Sequence, residues 1–355
     1  MNGTLGCADG YLVQFTTKDG KLIGETDLAS SVSWNRKLDD YSSASVSFDL
    51  GAAVDSTSCC KLLDQLDVRR DYMSLYRLTG SDVSMVWTGP IQRIESKRDS
   101  ATISAVDKLF LYQTRILRQN HDFTATDLAT IWNAYLTDAN SIDPIITDLC
   151  PPTGIFLDTQ QDYLQAGMAT DAMKTILDAG LDVTIHRGTI VYGGKELRLQ
   201  RQALRDDHFV GDITVVQDAS RIASQVYMKG FSDDFASYPG TPAAPSTGYY
   251  GLVERIFTDN NIVGVASLSE AAISHYNQLA NQKPFFLDMS GSAALHQSAP
   301  VDINDLVAGT VFNVSIQDIC PPMEQPLRMY EMNVEMSADE NVSISLQPIG
   351  EVADV

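Results

Sequence analysis

The sequence is short of positive charge. Its 355 residues carry 25 Lys and Arg against 46 Asp and Glu, a formal charge of -21 with a pI near 4.4, which argues against a protein that grips nucleic acid through its phosphates. No run approaches the roughly 20 apolar residues that cross a bilayer. Met1 to Gly10 holds no basic segment followed by an apolar stretch, so the chain is expected to be soluble and non-exported. Its 5 cysteines, Cys7, Cys59, Cys60, Cys150 and Cys320, form no CxxC pair. Reduced, partly buried thiols are the expectation.

The marks of catalysis are missing as well. His121, His186, His208, His275 and His296 stand singly, with no second His or Cys at ligand spacing, so no metal site is expected. There is no GxSxG elbow for a nucleophilic serine. Gly188 to Lys195 comes nearest to a phosphate loop, but its spacing is off by one residue and Glu196 stands where a magnesium-binding Ser or Thr belongs. Asp206-Asp207 and Asp233-Asp234 are adjacent carboxylates on expected loops, suited to solvating a surface rather than to cleaving a glycosidic bond. The sequence therefore offers no catalytic residue, cofactor or metal ligand, and the chain is expected not to be an enzyme.

What is present is enough to build cores, with hydrophobic residues at 44%; global disorder is excluded. The length implies two to four subdomains. Divided at residues 110 and 230, the chain carries 15 acidic and 12 basic residues, then 15 and 10, then 16 and 3, for net charges of -3, -5 and -13. The acidic last third serves solubility, or forms a surface that repels another polyanion.

The first third alternates with period two at Val32 and Trp34, at Ala44, Val46 and Phe48, and at Ile103 and Ala105, which predicts strands with one buried face. Turn-forming residues at Asp39 to Ser43 and Lys97 to Ser100 predict antiparallel hairpins. Leu62, Leu63 and Leu66 suggest one or two helical turns. Leu128, Ile131, Trp132, Tyr135 and Leu136 lie at helical spacing, capped by Thr124 or Thr126 with Asp127 at the positive end of the dipole. A second helix from Thr170 to Gly180 leads into a hairpin turning at Arg187-Gly188, and a third is signalled by Ser267 and Glu270 as a capping box. Phe231 to Gly248, with Pro239, Pro242 and Pro245, is expected to be a long loop. At the end of the chain Tyr330 to Met336 and Val342 to Leu346 alternate around a turn. The same order of strand, charged turn and strand stands at Ile91 to Ala105, so duplication and coincidence are both open.

The succession of Val32-Ser33-Trp34-Asn35-Arg36-Lys37-Leu38-Asp39-Asp40, Leu75-Tyr76-Arg77, Val86-Trp87-Thr88-Gly89-Pro90-Ile91 and Thr102 to Asp107 resembles the minor tail proteins of long-tailed bacteriophages, in particular the tail-tip or baseplate hub family. The helix near 268, Leu306 to Val314 and the closing hairpin are similar to that family's C-terminal part. The resemblance implies a β-rich α+β fold with two small β-barrel tube-like domains, at 1–115 and at 211–230 plus 300–355. A small α+β domain at 116–210 and an inserted loop-and-helix domain at 231–299 would join them. It further implies a homotrimer imitating sixfold symmetry, located at the tail tip of the virion and made in the host cytoplasm. The implied neighbours are the distal tail protein, the tape measure protein and other tail-tip proteins, with DNA passing in transit and not specifically bound. Asp233, Asp234, Tyr238, Pro239, Pro242 and Pro245 form the candidate tip or contact loop. The alternatives are a tail-associated cell-wall-degrading enzyme and the hexameric distal tail protein.

Overall fold

The computed structural model describes residues 8–50, 61–161, 169–193, 198–199, 203–211, 216–217, 223–230, 234–238, 252–260, 262–280, 285–286, 293–320 and 322–348. Seven strands open the chain: β1 (Gly10–Thr17), β2 (Leu22–Thr26), β3 (Ser31–Lys37), β4 (Ser43–Asp49), β5 (Asp71–Thr79), β6 (Asp82–Ser96) and β7 (Ser100–Val106). In β3 and β4 every second residue is buried, because alternate side chains leave a strand on opposite faces. Asp39, at φ 60°, turns the chain after β3 in the left-handed region that Asp tolerates better than most residues.

The chain then changes period. The elements are α1 (Lys108–Gln113), β8 (His121–Asp127), α2 (Leu128–Ala139), β9 (Phe156–Gln161), α3 (Ala169–Asp178), β10 (Asp182–His186) and β11 (Thr189–Gly193). They share a core of their own around Trp132, Tyr112, Ile131 and Ile176. Asp127, rather than Thr124 or Thr126, caps α2 by accepting the Ala129 N–H, because β8 stays paired with β9 as far as Asp127. The expected turn at Arg187-Gly188 is present, with both residues at positive φ.

Short strands follow, namely β12 (Arg198–Leu199), β13 (Leu204–Arg205), β14 (Phe209–Val210), β15 (Val216–Gln217), β16 (Gln225–Lys229), β17 (Phe235–Tyr238) and β18 (Glu254–Thr258). After them come α4 (Val265–Ala280), β19 (Phe285–Phe286), β20 (Ala293–Leu295), β21 (Thr310–Ile316), β22 (Met323–Met336) and β23 (Glu340–Pro348). Two local expectations fail here. Ser267 lies inside α4, and its hydroxyl accepts the Asp158 N–H at 2.7 Å instead of capping the helix. Part of the expected loop is strand, since β17 pairs with β16; its four residues are too few to show an alternation and stand beside Pro239. Residues 225–229, grouped above with 300–355, hydrogen-bond to β17 and β18 and pack with α4 in a third small core.

The strands at the two ends of the chain belong to one 14-stranded sheet ordered β14-β20-β23-β22-β3-β4-β7-β6-β5-β1-β2, with β12, β13 and β21 beside it. Its strand order repeats. In the first module β4 pairs with β7, β7 with β6 and β6 with β5; in the second β20 pairs with β23, β23 with β22 and β22 with β21, all antiparallel. β3 flanks β4 as β14 flanks β20. Each long strand has an irregularity just past the end of its first partner, after Ile91 in β6 and after Met329 in β22, and β6 has a second where its pairing with β5 skips Val86. A bulge at matching positions re-aims and twists both hairpins alike.

Candidate assembly interface

The two modules meet edge to edge. β3 pairs with β22 from Val32 opposite Met336 to Lys37 opposite Glu331, and one apolar core containing Val32, Trp34, Val46, Ile103, Met332 and Val334 lies beneath the joint. Burying polar groups in such a seam is costly unless each finds a partner. The main ones do: Arg77 of β5 and Glu340 of β23 form a bidentate ion pair with the nearest N and O 2.5 Å apart, their side chains 3% and 1% exposed. Tyr11 donates its hydroxyl to Glu340 at 2.6 Å and accepts the indole N–H of Trp34 at 3.1 Å. Burial opposes the charge on Arg77, and the hydrogen-bonded carboxylate outweighs it, so the guanidinium stays raised. Burial, then the charge of Glu340, pushes the Tyr11 hydroxyl well above its ordinary range.

A second buried cation ties the same joint from below. Arg36 donates to the carbonyls of Ile303 at 2.7 Å, Leu306 at 2.6 Å and Val86 at 2.7 Å, and its guanidinium stacks 4.9 Å from the Trp34 ring centre. Burial, helped by Arg187, pushes it down to about 9. It remains a cation at neutral pH. The α+β unit docks on the joint through β10, where Asp39 accepts the Val183 N–H at 2.8 Å and Thr184 donates to the Lys37 carbonyl at 2.6 Å. Arg328 and Asp182 pair beside them. Burial, then the nearby Asp182, pushes the Asp39 carboxyl up to about 7.

Opposite the core, the joined sheet presents hydroxyls. Ser33 pairs with Ser45, Ser45 with Ser104 and Ser47 with Thr102, so these side chains form rows across β3, β4 and β7 on one half-buried face. Among the described residues of β3, β4, β6 and β7, the cations on this face are Lys37 and Arg93, and both have carboxylates beside them: Lys37 lies 3.6 Å from Asp40, and Arg93 lies 2.7 Å from Glu95. Neutral hydroxyls and neutralised cations leave little to hold a phosphate.

This fold has known counterparts. The fold is that of phage tail proteins. The chain is similar to the 43 kDa tail protein of prophage MuSo2 from Shewanella oneidensis, at 11% identity over 95% of this chain and 98% of that chain, with a TM-score of 0.60. It is similar to a tail protein from Neisseria meningitidis MC58 at 13% identity over 95% and 96%, with a TM-score of 0.59. The prophage tail protein gp18 of Listeria monocytogenes EGD-e matches at 11% identity over 97% and 95%, with a TM-score of 0.57. No family model matches the sequence, and no curated protein matches it.

Of the residues expected to form a tip loop, Asp233, Pro239, Pro242 and Pro245 lie outside the described residues. Asp234 and Tyr238 border or belong to β17: the Asp234 carbonyl accepts the Gly230 N–H at 3.0 Å, and Tyr238 meets Tyr276 of α4 edge-on at 5.0 Å. They lie at the two ends of one short strand. Cys7, Cys59 and Cys60 are also outside the described residues, Cys320 is exposed, and burial, with Asp127 adding to it, pushes the buried Cys150 thiol up to about 12. Among the described residues no group of three His, Cys, Asp or Glu side chains is arranged to hold a metal, and no helix is long and apolar enough to cross a membrane. The sequence reading missed the interface itself, because Arg77 and Glu340 stand 263 positions apart and nothing local announces their pairing.

Proposed function

We propose that this chain is a structural, non-enzymatic component of a bacteriophage tail tip. Three copies form a ring of six modules that adapts a sixfold tail tube to a threefold tip, and DNA leaves through its channel. The observation that carries the reading is the repeat: two modules of the same strand order, joined edge to edge in one chain, present a trimer with the means to imitate a hexamer. The fold shared with prophage tail proteins supports it, and so does the hydroxyl-coated sheet face, which suits a wall past which a polyanion slides. The distal tail protein, the tape measure protein and other tip proteins are its neighbours in this arrangement.

Native mass measurement of the full chain tests the reading. A species of three times 38.8 kDa is expected, whereas a hexamer with no threefold state would point to the ring of the distal tail protein. Release of soluble fragments from peptidoglycan, abolished by one Asp or Glu substitution, would overturn the non-enzymatic part.

A further inference from the structure

A ring needs matching edges, and among the described residues the second module carries a joint that the first lacks. In β22, Arg328 pairs with Val311 on one side and Gln347 on the other, and Glu331 pairs with Lys37 and Ser345 in the same two-sided way. β21 and β3 therefore share, end to end, the edge of β22 that faces away from β23. At the bulge between them the Tyr330 carbonyl accepts the Leu38 N–H at 2.8 Å.

Among the described residues the equivalent edge of β6 is only half occupied. β5 covers it as far as Pro90, and the Arg69 N–H donates to the Ile91 carbonyl at 2.6 Å. From Gln92 to Ser96, among the described residues, β7 is the one strand paired with β6 and the other edge carries none. Gln92 occupies the bulge position that Tyr330 fills in β22, and its buried side-chain oxygen has no hydrogen-bond partner. The counterpart of β3 is β14, which pairs with β20 on one edge and, among the described residues, with nothing on the other. Val210 in β14 is 55% exposed.

We propose that the open β6 edge at Gln92–Ser96 receives β14 of a second copy of this chain, repeating between copies the joint that β3 and β22 make within one. The inference rests on the ring reading above and adds which edges close it. Within one copy, among the described residues, the two edges do not pair, and β20, β23, β22, β3, β4 and β7 stand between them in the sheet. Contact between unlike edges of successive copies is the head-to-tail kind that closes into rings.

Charge favours the same occupant. Within the chain, Val32 pairs with Met336 at the end of β22, so the residues just before β3 run past the tip of the β22–β23 hairpin. By the same geometry the residues just before β14 run past the turn that joins β6 to β7. That turn carries Lys97, 71% exposed and 3.5 Å from Glu95, then Arg98 and Asp99, so Arg98 is the cation it offers a neighbour. The approach to β14 carries Asp207, 78% exposed. Opposite charges on the two partners steer the encounter and fix its register.

Cross-linking decides the matter. In a full-length background with Cys7, Cys59, Cys60 and Cys320 replaced by Ser, Val210→Cys and Arg98→Cys are introduced singly and together, and a short bismaleimide is added. The double variant is expected to give covalent dimers and trimers on a denaturing gel, and each single variant to lack them. Lys97→Glu with Arg98→Glu, at positions on the turn where folding is not at stake, is expected to remove most of the trimer seen by native mass measurement while the circular dichroism spectrum stays unchanged. Trimers that form without the cross-link and survive the charge reversal would overturn the edge assignment and leave the ring reading standing. A chain that stays monomeric over all accessible concentrations and gives no cross-link would overturn both.

Discussion

Replacing Glu340 by Gln probes the joint between the modules with almost no change of shape. Arg77 and Glu340 are both removed from water, at 3% and 1% side-chain exposure, so the substitution leaves an uncompensated buried guanidinium. Breaking a buried pair in this way costs about 3–5 kcal/mol. Tyr11 loses part of the acceptor for its 2.6 Å hydrogen bond as well, and a weakened buried hydrogen bond adds about 1 kcal/mol. A loss of roughly 5 kcal/mol is the expected result. Guanidinium titration followed by tryptophan fluorescence reads it, because Trp34 donates to Tyr11 in the same network. The double variant Arg77→Met, Glu340→Leu restores an apolar pair of similar volume and is expected to recover most of the loss. The reasoning is refuted if Glu340→Gln costs under about 1 kcal/mol, the size of a surface pair, or if the two single substitutions add without coupling.

Other expectations follow from the same geometry. Arg36→Lys cannot reach the Ile303, Leu306 and Val86 carbonyls together, because an ammonium lacks the guanidinium fork; a stability loss of about 2–4 kcal/mol in urea is expected. A Cβ at Gly89 would fall on the Val106 carbonyl oxygen, so Gly89→Ala is expected to cost about 2 kcal/mol or more and to lower the melting temperature. The Asp39 carboxyl is pushed up to about 7 from an ordinary value of 3.8. The folded state thus holds a proton that the unfolded chain releases, and this contribution to stability, complete below pH 4, falls away as pH rises through 7. Urea midpoints between pH 4.5 and 7.5 are expected to flatten in Asp39→Asn. Ser33→Lys, Ser45→Lys and Ser104→Lys together are expected to turn a surface indifferent to duplex DNA into one that binds it, with a log–log salt slope near -2.7 if all three engage phosphates. Fluorescence anisotropy reads both, and tight binding by the unaltered chain at physiological salt would count against the hydroxyl face as a channel wall.

Much of the fold is legible in the sequence where side chains report their own surroundings. Val32, Trp34, Ala44, Val46, Phe48, Ile103 and Ala105 alternate in the sequence and are buried in the structure, since a strand with one buried face imposes period two on its residues. The amphipathic spacing from Leu128 to Leu136 is equally direct. Partnership between distant strands leaves no such trace. Nothing near Trp34 says that Val334 lies opposite it, and the ion pair at the joint is made by residues that each look like ordinary surface charges. The likeness of the Ile91–Ala105 and Met329–Leu346 hairpins is visible in outline, but the shared bulge is a matter of hydrogen-bond register and emerges only from the pairing. β17 is hidden for the opposite reason: its four residues are swamped by the prolines that follow.

Cryo-electron microscopy of the assembled tail tip tests the central claim most directly. The expected map contains three copies of this chain in a ring of six alternating modules, with Ser33, Ser45 and Ser104 facing the channel. A map in which the chain stands as a single copy, or in which only one of its two modules contributes to the channel wall, would contradict it.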